Sequence, residues 1–207
     1  MAYINYMPQS SRRLVLRTLL LSAAAVCVAP TRRLAGAQDL GQFAGGPPPC
    51  SPDEKHTPST PVGPDFKPGS PQRASLIEPG IMGTRLVLTG HVSGIHCGPI
   101  AKAVVDIWQA DARGIYDKTG FRLRGRQLTD ATGAFRLDTI VPGSHDKRAP
   151  HLHVRVQPPG KQVFTTQLFF PDQPLNKLDA QFRPELVMSM TASGAEKRAR
   201  FNIVLDM

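Results

Sequence analysis

Apolar and polar positions in this chain alternate in short runs, not at helical spacing. The runs are Arg85–Val92, Ala103–Gln109, Ala134–Ile140, His151–Gln157, Val163–Phe170, Leu186–Met190 and Arg200–Leu205. Between them stand Gly-Pro, Asp-Ala-Thr-Gly, Pro-Gly and Pro-Pro-Gly, sequences that reverse a chain. Closely spaced short strands with turn signals predict an all-β fold, a β-sandwich, in which only Leu175–Phe182 suits a short helix. Residues 83–207 suffice for one hydrophobic core, so a single domain is the simplest count.

One run carries chemistry as well as structure. In an extended strand successive side chains point to opposite faces, so His151, His153 and Arg155 share one face and Leu152, Val154 and Val156 the other. Two imidazoles side by side can reach one transition metal; they also suit a half-buried strand whose polar face meets solvent. The pattern alone does not choose between these.

Residues 38–82 have another character, with Pro47-Pro48-Pro49, Pro58, Pro61, Pro64, Pro68 and Pro71 among Gly, Ser and Thr. Such a segment cannot build a core and is expected to form an extended arm, laid over the domain or projecting from it. Residues 1–37 resemble a twin-arginine export signal: Arg12-Arg13 precede a short apolar run, Leu19 to Val28, and Ala35-Gly36-Ala37 offers a cleavage site. An ordinary secretory signal is the rival; the apolar run is shorter than the roughly 20 residues of a membrane span. Removing this segment takes five arginines and no acid, so 25 − 5 = 20 basic residues face 16 acidic ones. The remaining charge, about +4, leaves no footprint for nucleic acid. In a periplasmic or secreted protein Cys50 and Cys97, the two cysteines outside the signal, are expected to form a disulfide tying the arm to the sandwich.

Taken in order, Leu88-Thr89-Gly90-His91-Val92, the run from Ala103 to Asp111 around Trp108, Gly114-Ile115-Tyr116-Asp117, the run from Arg124 to Asp130, Thr139-Ile140-Val141-Pro142-Gly143 and Arg148-Ala149-Pro150-His151-Leu152-His153 resemble the intradiol ring-cleavage dioxygenases. The match extends from Leu86 to Phe170. That family holds a non-haem ferric ion with two tyrosinates and two histidines. The resemblance implies Tyr116, His151 and His153 as metal ligands, Arg148 against the substrate ring and Gln167 as the glutamine behind it. A ferric ion is a hard Lewis acid that suits phenolate oxygen and lowers the phenol's pKa. Arg148 and Gln167 would steer charge on a bound catecholate. Trp108 is assigned to the core, His56, His91 and His96 to surface or structural roles, and Asp106 and Asp111 to turns and hydrogen bonds.

One departure bears on the chemistry. Tyr3 and Tyr6 lie in the export signal, which leaves Tyr116 as the one tyrosine of the mature chain. Where the family's second tyrosinate should stand, after Pro142-Gly143-Ser144, this chain has His145. An imidazole can also bind iron, leave it and accept a proton, so His145 is expected as a ligand or base; the alternative is a loop residue beside a three-ligand metal. The resemblance then implies an exported dioxygenase that takes a small aromatic diol and dioxygen and cleaves the ring between the two hydroxylated carbons to a muconate-type diacid. The loss of the second tyrosine keeps open a non-catalytic sandwich that binds metal or an aromatic ligand, and a copper or zinc site. The catechol used, and whether the protein is a homo-oligomer, are not legible.

Overall fold

A computed structural model describes residues 55–207; residues 1–37, expected to be an export signal, Cys50 and the first part of the arm lie outside the described residues. Among the described residues nine strands form two sheets. They are β1 (Arg85–Gly94), β2 (Val104–Trp108), β3 (Arg124–Leu128), β4 (Ala134–Ile140), β5 (His151–Gln157), β6 (Phe164–Phe169), β7 (Ser189–Ser193), β8 (Glu196–Arg200) and β9 (Ile203–Leu205). The first sheet runs β4-β1-β8-β7, with β9 pairing the far end of β1; the second runs β3-β2-β5-β6. The expected sandwich is therefore present. Its core is the alternating apolar set of both sheets, Leu86, Leu88, Leu137, Val105, Ile107, Leu152, Val154 and Leu168 among others, all fully buried.

Several expected elements differ in detail. β3 was not expected as a strand, since Arg-Gly-Arg-Gln-Leu lacks apolar alternation; it forms because its backbone completes the ladder with β2. The run Leu186–Met190 is instead a 3-10 turn at Pro184–Leu186 followed by β7, and Arg200–Leu205 divides into the ends of β8 and β9. The short helix expected over Leu175–Phe182 is a 3-10 turn at Pro174–Leu178, opened by its proline. Among the described residues there is no α-helix, and none long and apolar enough to cross a membrane.

The described part of the arm is laid over the domain. Prolines donate no hydrogen bond but their carbonyls accept, and the arm uses this. Pro58 O accepts from Thr166 Oγ1 at 2.7 Å, and Pro71 O from Arg126 N at 2.9 Å. Thr57 N donates to Val204 O, Thr60 N to Thr165 O and Leu76 N to Asp138 O, so the arm passes from β9 across the outer face of the second sheet to the edges of β3 and β4. This cover decides the burial of β5. Both faces of its first four residues are buried, so the solvent-facing alternative for the histidine face is excluded.

Candidate metal centre

Strand register assembles the centre. One rung across the second sheet reads Arg124, Trp108, His153 and Gln167, contributed by β3, β2, β5 and β6. All four lie on the outer face under the arm, with exposures of 3% or less. Trp108 stacks on His153 with ring centroids 4.8 Å apart and planes within 6°. Its assignment to the interior holds, but it packs between sheet and arm, with Phe66 edge-on at 5.1 Å. Gly63 crosses directly above His153: a Cβ there would stand 3.3 Å from Cε1, and its φ of +78° is one a side chain rarely adopts.

Tyr116 arrives from a loop braced at both ends. Asp111 Oδ1 accepts from the backbone N–H of Arg113 and of Ile115, and Asp117 accepts from the N–H of Thr119, Gly120 and Arg122. Gly114 lets this loop cross the 142–145 segment, since a Cβ there would meet Ser144 O at 1.9 Å. Buried Arg124 ties the loop to the arm by donating to Asp117 O and Asp65 O.

The result is a triangle of donor atoms. Tyr116 Oη is 3.3 Å from His151 Nε2 and 3.1 Å from His153 Nε2, and the two Nε2 atoms are 3.1 Å apart. Three atoms at such spacing can all lie about 2 Å from one central ion, the ordinary length of an imidazole–metal bond. His151 Nδ1 donates to Ala149 O at 2.6 Å, which leaves its Nε2 lone pair directed into the triangle. Burial, with Arg148 adding to it, lowers the His151 pKa to about 4; burial and the neighbouring His151 push His153 well below the usual range. Both imidazoles are therefore neutral and able to ligate at neutral pH. Burial and then the charge of Asp65 raise the Tyr116 pKa, so the phenol stays protonated unless a cation replaces its proton. No three His, Cys, Asp or Glu side chains among the described residues form a metal set; the phenol is the third donor beside the two histidines. The residues present fit a hard, phenolate-binding ion.

Arg148 and Gln167 meet behind the triangle. Arg148 Nη2 donates to Gln167 Oε1 at 2.6 Å, and Arg148 Nε to both oxygens of Asp179 at 3.0 Å. Gln167 Nε2 donates in turn to Gln181 Oε1 at 2.6 Å. Asp179 also accepts from Ala149 N and Gln181 N; burial alone would raise its pKa, but these bonds hold it below the usual value. Asp179, Gln181 and Asp65 were not singled out from sequence. Nothing in the mixed Leu-Asn-Lys-Leu-Asp-Ala-Gln-Phe sequence of residues 175–182 marks Asp179 or its pairing with Arg148.

His145 stands apart from the donor triangle. Its ring is edge-on to Tyr116 with centroids 4.9 Å apart, but Nδ1 donates to Gly114 O at 2.7 Å, and Nε2 lies 3.2 Å from Asp146 Oδ2 and 3.8 Å from Asp65 Oδ2. The reason is the turn that follows. Asp146 and Lys147 both have positive φ, and Arg148 N donates back to His145 O, so the chain reverses tightly and carries the ring toward the two carboxylates. Tyr116 also lines a cavity of about 740 Å3, together with the apolar Ile81, Met82, Leu123 and Ile140 and the charged Arg113, Asp117 and Arg122.

Comparison with known proteins agrees with this architecture. A family model described as Dioxygenase matches residues 62–207. The dioxygenase domain of a dioxygenase carbohydrate-binding protein fusion from Streptomyces sp. SirexAA-E superposes with a TM-score of 0.72 at 46% identity, covering 74% of this chain and 99% of that one. The 3-chlorocatechol 1,2-dioxygenase of Rhodococcus opacus 1CP superposes with a TM-score of 0.67 at 28% identity, covering 74% of each chain. Catechol 1,2-dioxygenase 2 of Acinetobacter lwoffii is 33% identical over 141 residues, 56% of this chain and 51% of its own. The chain spans about half the length of the curated relatives it matches.

Proposed function

Because the chain belongs to the intradiol ring-cleavage dioxygenase family, we propose that it binds ferric iron through Tyr116, His151 and His153 and cleaves a catechol-type ring between its two hydroxylated carbons. The observation that carries this reading is the convergence of one phenol oxygen and two neutral imidazole nitrogens at 3.1–3.3 Å. Bound iron would supply Lewis acidity and one-electron chemistry toward the diol and dioxygen. The chain's own residues do the rest. Tyr116 gives up its proton on metal binding, and His151 is held in the ligating tautomer by Ala149 O. Arg148, fixed by Asp179 and Gln167, presents a positive charge to oxygen atoms that become anionic during the reaction. Trp108, Phe66 and Gly63 keep bulk water from His153. His145, beside the phenol, serves as a base or as a ligand that swings in; its nitrogens now face Gly114 O and the carboxylates of Asp65 and Asp146.

Export by the twin-arginine route, with a Cys50–Cys97 disulfide formed outside the cytoplasm and a muconate-type product, belongs to the same proposal. Cell fractionation of the wild-type chain and of an Arg12→Lys, Arg13→Lys variant checks the route.

The position of the His145 nitrogens supports a second reading, a sandwich that retains a metal without turning substrate over. One experiment separates the two. Protein exported from iron-supplemented cells is assayed for metal, for visible absorption with and without a catechol, and for oxygen uptake. Stoichiometric iron, a phenolate band that shifts with catechol, and oxygen consumption establish the enzyme. Iron with a band but no oxygen uptake from any catechol establishes the binding protein.

A further inference from the structure

Among the described residues several buried side-chain atoms have no hydrogen-bond partner, and three of them are Asp106 Oδ1, Trp108 Nε1 and His153 Nδ1. These three share one place, the outer face of the second sheet beneath the arm. Asp106 and Trp108 stand two residues apart on β2; across to β5, Trp108 is opposite His153 and Asp106 opposite Arg155. Asp106 and His153 are therefore diagonal neighbours on one face, about 7–8 Å apart, a span that a carboxylate, one water molecule and an imidazole can fill. Asp106 is only 7% exposed, so the pair lies in the interior.

Nε2 of His153 faces the donor triangle, and a neutral imidazole that offers Nε2 as an acceptor carries its proton on Nδ1. His151 donates the equivalent proton to Ala149 O, whereas His153 has no acceptor for its own among the described residues. The two nitrogens of one ring face roughly opposite ways, so His153 Nδ1 looks away from His151 and toward the rung of Arg155 and Asp106. Asp106 has an acceptor to spare there: Ser70 of the arm hydrogen-bonds its carboxylate, but Oδ1 has no partner. Burial raises the Asp106 pKa; the Ser70 bond, then Arg155, Arg126 and Arg124, oppose that and favour the anion. A buried donor and a buried acceptor are each costly when left alone, and one shared water satisfies both. Trp108 Nε1–H, on the same face, is a second donor for it.

We infer that Asp106 is a positioning residue for His153: its Oδ1 accepts a hydrogen bond relayed through one buried water from His153 Nδ1–H. The link holds the imidazole in the tautomer whose Nε2 lone pair faces the triangle, and it sets a negative charge behind that nitrogen. Such a charge strengthens the imidazole as a donor and favours the more highly charged ion, ferric over ferrous. The inference rests on the proposed function and deepens it, since it assigns His153 the fixed outer partner that His151 has in Ala149 O.

The test reads the imidazole directly. In metal-free full chain with nitrogen-labelled histidine, NMR is expected to show His153 protonated on Nδ1, with that proton protected from exchange and in contact with a bound water. Asp106→Leu removes the acceptor and should move His153 toward the Nε2–H tautomer, with loss of the Nδ1 proton signal. Asp106→Asn keeps an acceptor oxygen and should retain that signal. In Asp106→Leu ferric affinity should fall about tenfold or more and ferrous affinity about threefold or less, with Asp106→Asn between wild type and Asp106→Leu for ferric iron. An unchanged tautomer in folded Asp106→Leu overturns the inference. Equal weakening of ferric and ferrous affinity also overturns it and leaves Asp106 a purely structural residue. So does a tautomer change in Thr60→Val but not in Asp106→Leu, because Thr60 Oγ1 on the arm is also without a partner. Where Asp106→Leu does not fold, the wild-type spectrum decides, and a His153 without a protected, water-bound Nδ1–H overturns the inference. Failure of wild-type protein to take up iron overturns the proposed function, while the metal-free spectrum still tests the bridge from Asp106 to His153.

Discussion

At the scale of single residues, the centre depends on a few buried polar groups whose partners are fixed. Tyr116→Phe removes one corner of the donor triangle and leaves the ring packed against Trp108 and Ala110. It should abolish phenolate absorption in iron-loaded protein while lowering stability by only about 1 kcal/mol, measured by visible spectroscopy and thermal melting. Asp179→Ala acts differently, because it strands the Arg148 guanidinium and two backbone N–H groups together. A loss of about 3 kcal/mol in urea unfolding is expected, with weaker diol binding because Arg148 is no longer held. Asp117 gives a pH signature. Hydrogen bonds from the Gly120 and Arg122 amides hold its pKa at about 2, below the ordinary 3.8. The unfolded chain therefore binds the proton first as pH falls, and the stability Asp117 contributes is complete above about pH 4 and lost toward pH 2. Asp117→Asn should flatten acid unfolding in that window.

At the scale of elements, the turn between His145 and Arg148 is the exposed weakness. Asp146 and Lys147 occupy left-handed backbone positions at φ of 45° and 65°, conformations that Asn and Gly adopt with least strain. Asp146→Asn with Lys147→Gly should raise stability by about 1 kcal/mol, a rise of about 3 °C in melting temperature, without loss of bound iron. The sequence did not disclose this turn, because nothing in Ser-His-Asp-Lys marks a left-handed pair. It did disclose the strands that alternate cleanly, β1, β4 and β5. β3 stayed hidden because its residues are mostly polar and its place is fixed by pairing with β2 and by the Gln72 and Arg73 backbone of the arm.

At the scale of the molecule, the arm and the two sheets act as one unit around neutral histidines. In metal-free protein His151, with a pKa of about 4, and His153, held well below its ordinary value by burial and by His151, resist protonation that the unfolded chain accepts near 6.5. Between those values the unfolded state binds more protons, so stability falls as pH drops through about 6.5 toward 4 and is level above it. Melting temperature against pH for metal-free protein checks this. Iron should raise the curve at pH 7, and a chelator should return it.

The sequence by itself determined the two-layer β architecture, since period-two alternation between turn signals leaves few other ways to bury one face of each strand. It also determined that His151 and His153 share a face and, through resemblance, that Tyr116, Arg148 and Gln167 belong with them. Tertiary structure alone decided which polar groups are paired. Cross-strand register set Trp108 and Gln167 on either side of His153, and a segment about 30 residues away brought Asp179 to Arg148. The arm turned a polar sheet face into an interior. Local pattern reports which face a side chain takes, because that follows from backbone geometry over a few residues. Partner, burial and charge state depend on what other segments bring to that face, and only the folded chain specifies them.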